Sequence, residues 1–578
     1  MPKTLDETYQ RTLREIKEAN WEFAHRLFQL LSVASRPLLV QELSELLAFD
    51  FDVKPIPKFH EDWRLEDPVD AVLSTCSSLL AIIDVGDPSI TIIQFSHYSV
   101  KEFLTSSRLA EASDTISRRY HVSMTPAHTL AAQVCLGILL HLDGDVVTYD
   151  GLKKWPLVKY AAAHWAGHAL FEGVSQEVER GVEQLFDPRE PHFSVCVSIR
   201  VLRQALARPA ERLLPHLGTP LHCAALWDLH FIVTFLIIER SQDVHSRGFT
   251  DDATPLHLAS SLGHMKVIRM LVEHGADVTA QTKNGDTPLH LAMTSPRQLE
   301  EGNVEVARML IERGAGVAAQ NKNGETPIHL ASQYGQVQAV RILIERGADV
   351  AAQNKDGLTP LHLASRNGKA EIARILIDSG AEVAAQNKVG ATPLHLASCS
   401  GEVEISCMLI ERGAEMAAQN EDGLTPLHLA SKYGRVGVAR TLIERGADVA
   451  AQNKDEATPL HLASREGQVE VARVLIEHGA DVTAKNKYGE TPLHRTSRPD
   501  SYPFEIEELT EVSRILLEHG ADVNAKNKAG LTPLRLVSQS RYAGDIRAQV
   551  LLQHGADPDD GTGEDFSLGI FDSDSDSD

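Results

Sequence analysis

Twenty-six histidines stand in this 578-residue chain, enough to raise metal binding or acid–base catalysis as its chemistry. Nine of them close the string TPLH or its variant TPIH. The copies begin at Thr219, Thr254, Thr287, Thr326, Thr359, Thr392, Thr425, Thr458 and Thr491, most of them 33 residues apart, and a tenth copy at Thr532 reads TPLR, with Arg535 in the histidine's place. A histidine that recurs at a fixed period beside the same threonine and proline reads as scaffold. His164 and His168 lie four apart, a spacing that chelates zinc on some helices, but no HExxH surrounds them and no third ligand is evident; helix packing is the expectation. Ser96 and His97 are sequence neighbours at a strand-to-helix corner, which is not a nucleophile–base geometry, and no GxSxG elbow occurs. The six cysteines, Cys76, Cys135, Cys196, Cys223, Cys399 and Cys407, form no CxxC pair and read as core thiols of a reducing compartment. No catalytic residue, metal or cofactor is therefore expected.

The elements that carry the histidines can be read from residues 354–386. Thr359 is a good N-cap, since its hydroxyl can accept from an orphan backbone N–H, and Pro360 follows where a missing N–H costs nothing. Gly368 breaks the pattern after about two turns. Ile372, Ile375 and Leu376 then recur at helical spacing up to Gly380, predicting a second helix over roughly 370–379. A turn and two helices cannot bury their apolar face alone, so neighbours must stack and share one core. The period and its TPLH string resemble the ankyrin repeat. That resemblance implies a mainly α solenoid whose histidines link one repeat's turn to the next.

Lys plus Arg total 56 against 80 Asp plus Glu, a net charge of −24, which disfavours a nonspecific grip on nucleic acid or anionic membrane. The longest apolar stretch, near Leu130 to Leu140, is too short to span a bilayer, and MPKTLDETYQ lacks the apolar core of a signal peptide. A soluble protein of the cytoplasm or nucleus is expected.

Residues 5–49 read as helices, with stripes Leu13, Ile16, Ala19, then Phe23, Leu27, Leu30, Leu31, then Leu43, Leu46, Leu47 after Pro37. A short helix over 68–78 follows, then strands Leu80 to Asp84 and Ile90 to Phe95 around a GDPS turn at 86–89. Three helices and a hairpin make a winged-helix layout. The segment that would enter a DNA groove, PVDAVLSTCSSLL, has no Lys, Arg, Asn or Gln, so direct DNA binding is not expected. LDETYQRTLREI (5–16), RPLLVQELSELLAFDF (36–51), LSTCSSLL (73–80), FSHYSVKEFLTSSRL (95–109) and YAAAHWAGHALFE (160–172) are similar to the region between the ATPase and the repeats of fungal NACHT/ankyrin proteins, relatives of nucleotide-binding immune receptors. The resemblance implies a sensing arm beside a NACHT ATPase, yet the GxxxxGK[ST] phosphate loop is absent from this sequence. Either a natural short form or a gene model begun partway through a longer receptor would account for that. The expected domains are 1–125 (winged-helix type), 126–215 (helical connector), 216–557 (about ten ankyrin repeats) and 558–578 (an acidic, disordered tail).

Function is then expected to be noncatalytic binding of a protein partner, by a monomer unless a NACHT-type partner assembles it. Stacking consumes the apolar helix faces and leaves the turn tips and first-helix ends free to vary. Lys283, Lys322, Lys355, Lys388, Lys454, Lys487 and Lys528 occupy one equivalent tip position, interrupted by Glu421. They predict a basic ladder suited to an acidic peptide, or simply solvated turns. Among the varying positions, Tyr334, Asp356, Arg366, Lys432, Tyr433, Arg465 and Tyr488 are candidate partner contacts. Insertions at 296–302 and 499–510 lengthen the link between helices. Glu456 replaces a glycine expected to have positive φ, and Ser573 and Ser575, each with aspartate three residues on, suit an acid-directed kinase.

Overall fold

The computed structural model describes residues 5–70, 72, 78–84, 91–142, 152, 154–187, 189–204, 218–248, 251–294, 300–498, 506–539 and 546–558. It is mainly helical and divides into two compact units, Met1–Lys283 and Asn284–Asp578.

The first unit opens with α1 (Leu5–Glu15), whose Asp6 and Glu7 favour the positive end of the helix dipole, and α2 (Trp21–Val33), which buries Ala24, Leu27, Phe28 and Leu30. The stripe Leu13, Ile16, Ala19 does not share one helix, because α1 ends at Glu15. Nor is 36–49 purely helical. Pro37 leads into a short strand β1 (Leu38–Leu39), then α3 (Val40–Ser44), a 3-10 turn, and β2 (Phe49–Asp50), which pairs with β3 (Lys58–Phe59). Proline's fixed φ favours an extended entry, and Leu38 opposite Ile93 makes β1 the third strand of the wing. The sheet order is β1, β5 (Thr91–Phe95), β4 (Leu80–Asp84), with Leu80 opposite Phe95. Positions 68–70 and 72 are helical and Ser78 lies in a turn; 71 and 73–77, including Cys76, and the GDPS turn lie outside the described residues.

Connector helices Met124–Leu139, Val158–Ala169, Ser175–Leu185 and His192–Gln204 follow. Trp165 packs edge-on against Trp227 of the first repeat, at 6.0 Å, and Arg240 reaches Asp187 at 3.2 Å. His168 is buried with Nδ1 3.0 Å from His128 Nδ1 and Nε2 2.9 Å from the Tyr160 hydroxyl. Burial, reinforced by the neighbouring imidazoles, pushes its pKa down to about 4. The His164/His168 spacing is thus spent on packing and hydrogen bonding, and no group of three His, Cys, Asp or Glu is placed to hold a metal among the described residues. No helix among them is long and apolar enough to cross a membrane.

Helix pairs fill the second unit. Residues 354–386 fold as read, with helices Pro360–Arg366 and Ala370–Asp378 around Gly368, whose φ is +67°. Leu361, Ala364, Ile372, Ala373 and Leu376 are buried between them and their neighbours. Both insertions lengthen the link as expected, from Ala292 to Glu300 and from Thr496 to Ile506 against Tyr334 to Val337 in the copy at Thr326, and their described parts do more. They wind into the second helix, giving Glu300–Glu312 and Ile506–Glu518, each 13 residues against 9 in the other copies of this unit up to residue 477. Tyr502, Phe504, the tail beyond Pro558, Ser573 and Ser575 lie outside the described residues.

Candidate functional site

Each TPLH histidine ties three things together. In the copy at Thr359, the Thr359 backbone N–H donates to His362 Nδ1 at 3.1 Å, and the His362 backbone N–H lies 3.4 Å from Thr359 Oγ1. This is a reciprocal cap. With Nδ1 accepting, the proton sits on Nε2, which donates to the Ala391 carbonyl of the next turn at 3.0 Å. The same link joins His329 to Leu358, His395 to Leu424, His428 to Ala457, His461 to Glu490 and His494 to Leu531. Burial outweighs these hydrogen bonds and pushes His362, His428 and His461 down to about 4.

The asparagine before each tip lysine of the second unit shapes the turn. Asn387 Oδ1 accepts from the N–H groups of Val389 and Ala391 at 3.1 and 2.9 Å. Successive tips then bond through the backbone: Lys355 N–H to Asn323, Lys388 to Asp356, Glu421 to Val389, Lys454 to Asp422 and Lys487 to Asp455, at 2.7 to 3.0 Å. Because the main chain makes this bond, the side chain is free to vary, which explains how Glu421 fits. Gly357 is fixed more tightly, with φ +74° and the Lys388 N–H only 2.8 Å from where a Cβ would stand.

Glu456 holds the same place at φ +56° without being glycine. Replacement by glycine is expected to stabilise the chain by about 1 kcal/mol, since a left-handed conformation costs a Cβ-bearing residue roughly that much. A thermal midpoint unchanged or lowered in Glu456→Gly would contradict the strain.

The varying side chains gather in two clefts of this unit. A cleft of about 430 Å³ joins the candidates Lys432, Lys454, Arg465 and Tyr488 with Asp422, Asp455, Asn453, Asn486, Leu424, Leu462 and Arg495. A smaller one, about 230 Å³, joins Lys322 and Tyr334 with Asp286, Glu325, Asn284, Asn321 and Asn323. Tyr334, Tyr433 and Tyr488 are 42%, 43% and 51% exposed, unusual for tyrosine and suited to a contact surface. Lys432 lies over the Tyr433 ring and Lys487 over the Tyr488 ring, at 5.3 and 5.0 Å. Lys487 also pairs with Asp455, so the ladder is partly neutralised there. Asp356, Lys355, Arg366 and Lys388 line neither cleft. Arg495 was missed by the sequence reading; the signal was an arginine where other copies carry the leucine of HLAS. On the second helices, by contrast, several arginines pair with carboxylates one repeat away, as in Arg374–Glu404 and Arg445–Glu411.

Paired helices joined by hydrogen-bonded turns, each turn clasped by a buried histidine, define a stacked helical-repeat protein. The family model described as "Ankyrin repeats (3 copies)" matches overlapping segments that run from 221 to 527, more than half the chain. The chain belongs to the ankyrin-repeat family. A second model, "GPI inositol-deacylase, winged helix domain", matches residues 12–115. The chain is 30% identical over 293 residues to the azaphilone pigments biosynthesis cluster protein L of Monascus ruber, covering 48% of this chain and 60% of that protein. It is 32% identical over 132 residues to ankyrin repeat and SOCS box protein 11 of Danio rerio, covering 23% and 39%. Over 52 residues it is 44% identical to the NF-kappa-B inhibitor cactus of Drosophila melanogaster, covering 9% and 10%. The chain thus spans less than two thirds of the length of each of these relatives.

Proposed function

We propose that the protein is a noncatalytic interaction scaffold whose hairpin tips and first-helix ends in Asn284–Asp578 bind an acidic segment of a protein partner. The observation that carries this reading is the larger cleft, which gathers Lys432, Lys454, Arg465 and Arg495 with Asp422 and Asp455 in a chain of net charge −24, while Glu490 pairs with Arg495 and Glu466 with Arg465. Local positive potential on an acidic protein selects and orients a negatively charged ligand. Tyr433 and Tyr488 supply rigid apolar area beside those charges. The division at 1–125, 126–215, 216–557 and 558–578, a monomeric state and a cytoplasmic or nuclear setting belong to the same proposal, as do the contacts assigned to Lys322, Tyr334, Lys355, Asp356, Arg366, Lys388, Lys487 and the modification of Ser573 and Ser575.

Affinity capture with the full chain, with and without Lys355, Lys388, Lys454 and Lys487 changed to Glu, tests it. Loss of acidic partners from the reversed protein is expected, and an unchanged partner set would contradict the ladder. The winged-helix match over 12–115 favours a second reading, the sensor arm of a NACHT-type signalling NTPase. An in-frame GxxxxGK[ST] in genomic sequence upstream would support that reading; a stop codon immediately upstream would oppose it.

A further inference from the structure

A second surface, both acidic and apolar, lies on the first unit. Residues 61–70 read EDWRLEDPVD, five carboxylates against one arginine, with Trp63, Leu65 and Val69 among them. Arg64 leaves the 3-10 turn Glu61–Trp63 with extended backbone and turns inward, pairing with the buried carboxylate of Glu45 and lying over the Trp155 ring at 4.4 Å. Side chains alternate along extended chain, so Leu65 faces out. Trp63 and Leu65 are 46% and 55% exposed, and His60 stacks on the Trp63 indole at 4.4 Å and 17°, which holds the ring in place without covering it. Asp67 Oδ1 accepts from the N–H groups of Val69 and Asp70 at 3.0 and 3.1 Å, a cap that starts the helical turn at 68–70 and leaves Val69 37% exposed. Glu61 pairs with Arg64 at 3.5 Å, whereas Asp62, Glu66 and Asp70 are exposed and paired with no cation among the described residues.

Scattered apolar side chains on a surface need no partner, but three within the seven residues 63–69, one of them an indole held in place, form a strip of the kind that anchors an interface. The carboxylates select what can lie on it. Nucleic acid and anionic membrane are repelled, and a neutral apolar partner would leave Asp62, Glu66 and Asp70 desolvated without compensation. We propose that residues 61–70 dock a basic, apolar segment of a partner protein, with its apolar side chains on Trp63, Leu65 and Val69 and its lysines or arginines opposite Asp62, Glu66 and Asp70. Lys154 lines the adjoining groove of about 150 Å³ with Leu65 and Pro68, and so keeps the partner's cations on the strip and out of the groove. The strip lies on a different unit from the hairpin tips, and its partner carries the opposite charge.

The test selects a random phage-displayed peptide library on the full-length chain, with the chain carrying Trp63→Ala and Leu65→Ser as counter-selection, and then measures the enriched peptides by fluorescence anisotropy. Both substituted side chains are exposed, so the variant is expected to keep the circular dichroism of the unaltered chain. Enriched peptides are expected to be net positive with interspersed apolar residues, and to bind the unaltered chain about tenfold more tightly than Trp63→Ala. Asp62→Asn, Glu66→Gln and Asp70→Asn together should weaken them severalfold, a difference that high salt removes. Changing Glu415, Glu444 and Glu470, exposed on the second unit, to Gln controls for net charge and should leave the affinity of the unaltered chain. Enriched peptides that are neutral or acidic, no enrichment over the counter-selection, or an equal loss in the net-charge control overturns the proposal. Self-association of the chain, or its binding to phosphatidylcholine vesicles, that Trp63→Ala abolishes would give the strip to a second copy or to lipid and overturns it as well.

Discussion

Lowering the pH from 6.5 toward 4 is expected to strip several kcal/mol from the stability of the repeats in Asn284–Asp578. His362, His428 and His461 have folded pKa values near 4 against an ordinary 6.5, and burial lowers His290, His329, His395 and His494 as well. The sign follows from proton counts. Between the folded and unfolded values the unfolded chain binds more protons, so stability is complete above 6.5 and falls as pH drops toward 4. The three strongly shifted groups contribute on the order of 2–3 kcal/mol each across that window. Geometry gives the reason. A second ring proton would arrive on Nδ1, which already accepts the threonine N–H, as at Thr359 and His362. Protonation therefore opposes the cap at the start of each first helix. Urea midpoints followed by circular dichroism at pH 7, 6, 5.5 and 5 isolate the effect, because ordinary carboxylates remain largely ionised over that range. A midpoint constant from pH 7 to 5 would contradict it.

The second large effect runs in the stabilising direction. Ser332, Ser365, Ser398, Ser431 and Ser464 occur once per copy in the LAS of the first helix, are fully buried, and their hydroxyls have no hydrogen-bond partner among the described residues. A buried hydroxyl without a partner costs about 1–3 kcal/mol, and serine is also a poorer helix former than alanine by roughly half a kcal/mol. Alanine removes both penalties and deletes a single atom, so the packing loss is small. Each Ser→Ala change is expected to stabilise the chain by about 1 kcal/mol, and the sites are one repeat apart, so the five together approach about 5 kcal/mol. Equilibrium urea unfolding of the single and fivefold variants measures this. Losses at each site would show that the hydroxyls are satisfied.

Much of this was legible before the structure, because a repeat presents the same physics many times. Thr359, Pro360, Gly368 and Gly380 mark helix ends by their own backbone chemistry, and both helices of that copy fall where those residues place them. The positive φ at Glu456 was legible for the same reason. What failed was local structure decided by distant partners. Leu38–Leu39 becomes a strand because Ile92 and Ile93 lie beside it, a pairing that helical spacing cannot disclose. The insertions read as longer links, which they are, but helical spacing did not disclose that their described parts also extend the second helices to Glu300 and Ile506. The position of the tip lysines was legible from the period, but the backbone bond that fixes it and the Asp455 carboxylate that neutralises Lys487 are properties of adjacent turns. Arg495 escaped because its position, leucine in most copies, was not among the varying ones named.

The central claim is that the repeated letters hold the fold while the varying tips and first-helix ends bind. Hydrogen–deuterium exchange of the full chain, with and without its captured acidic partner, tests this most directly. The account predicts new protection over 421–433, 454–466 and 487–495, with the outer second helices such as Val436–Glu444 and Val469–Glu477 unchanged. Protection confined to those second helices, or to the winged-helix segment 12–115, would contradict it.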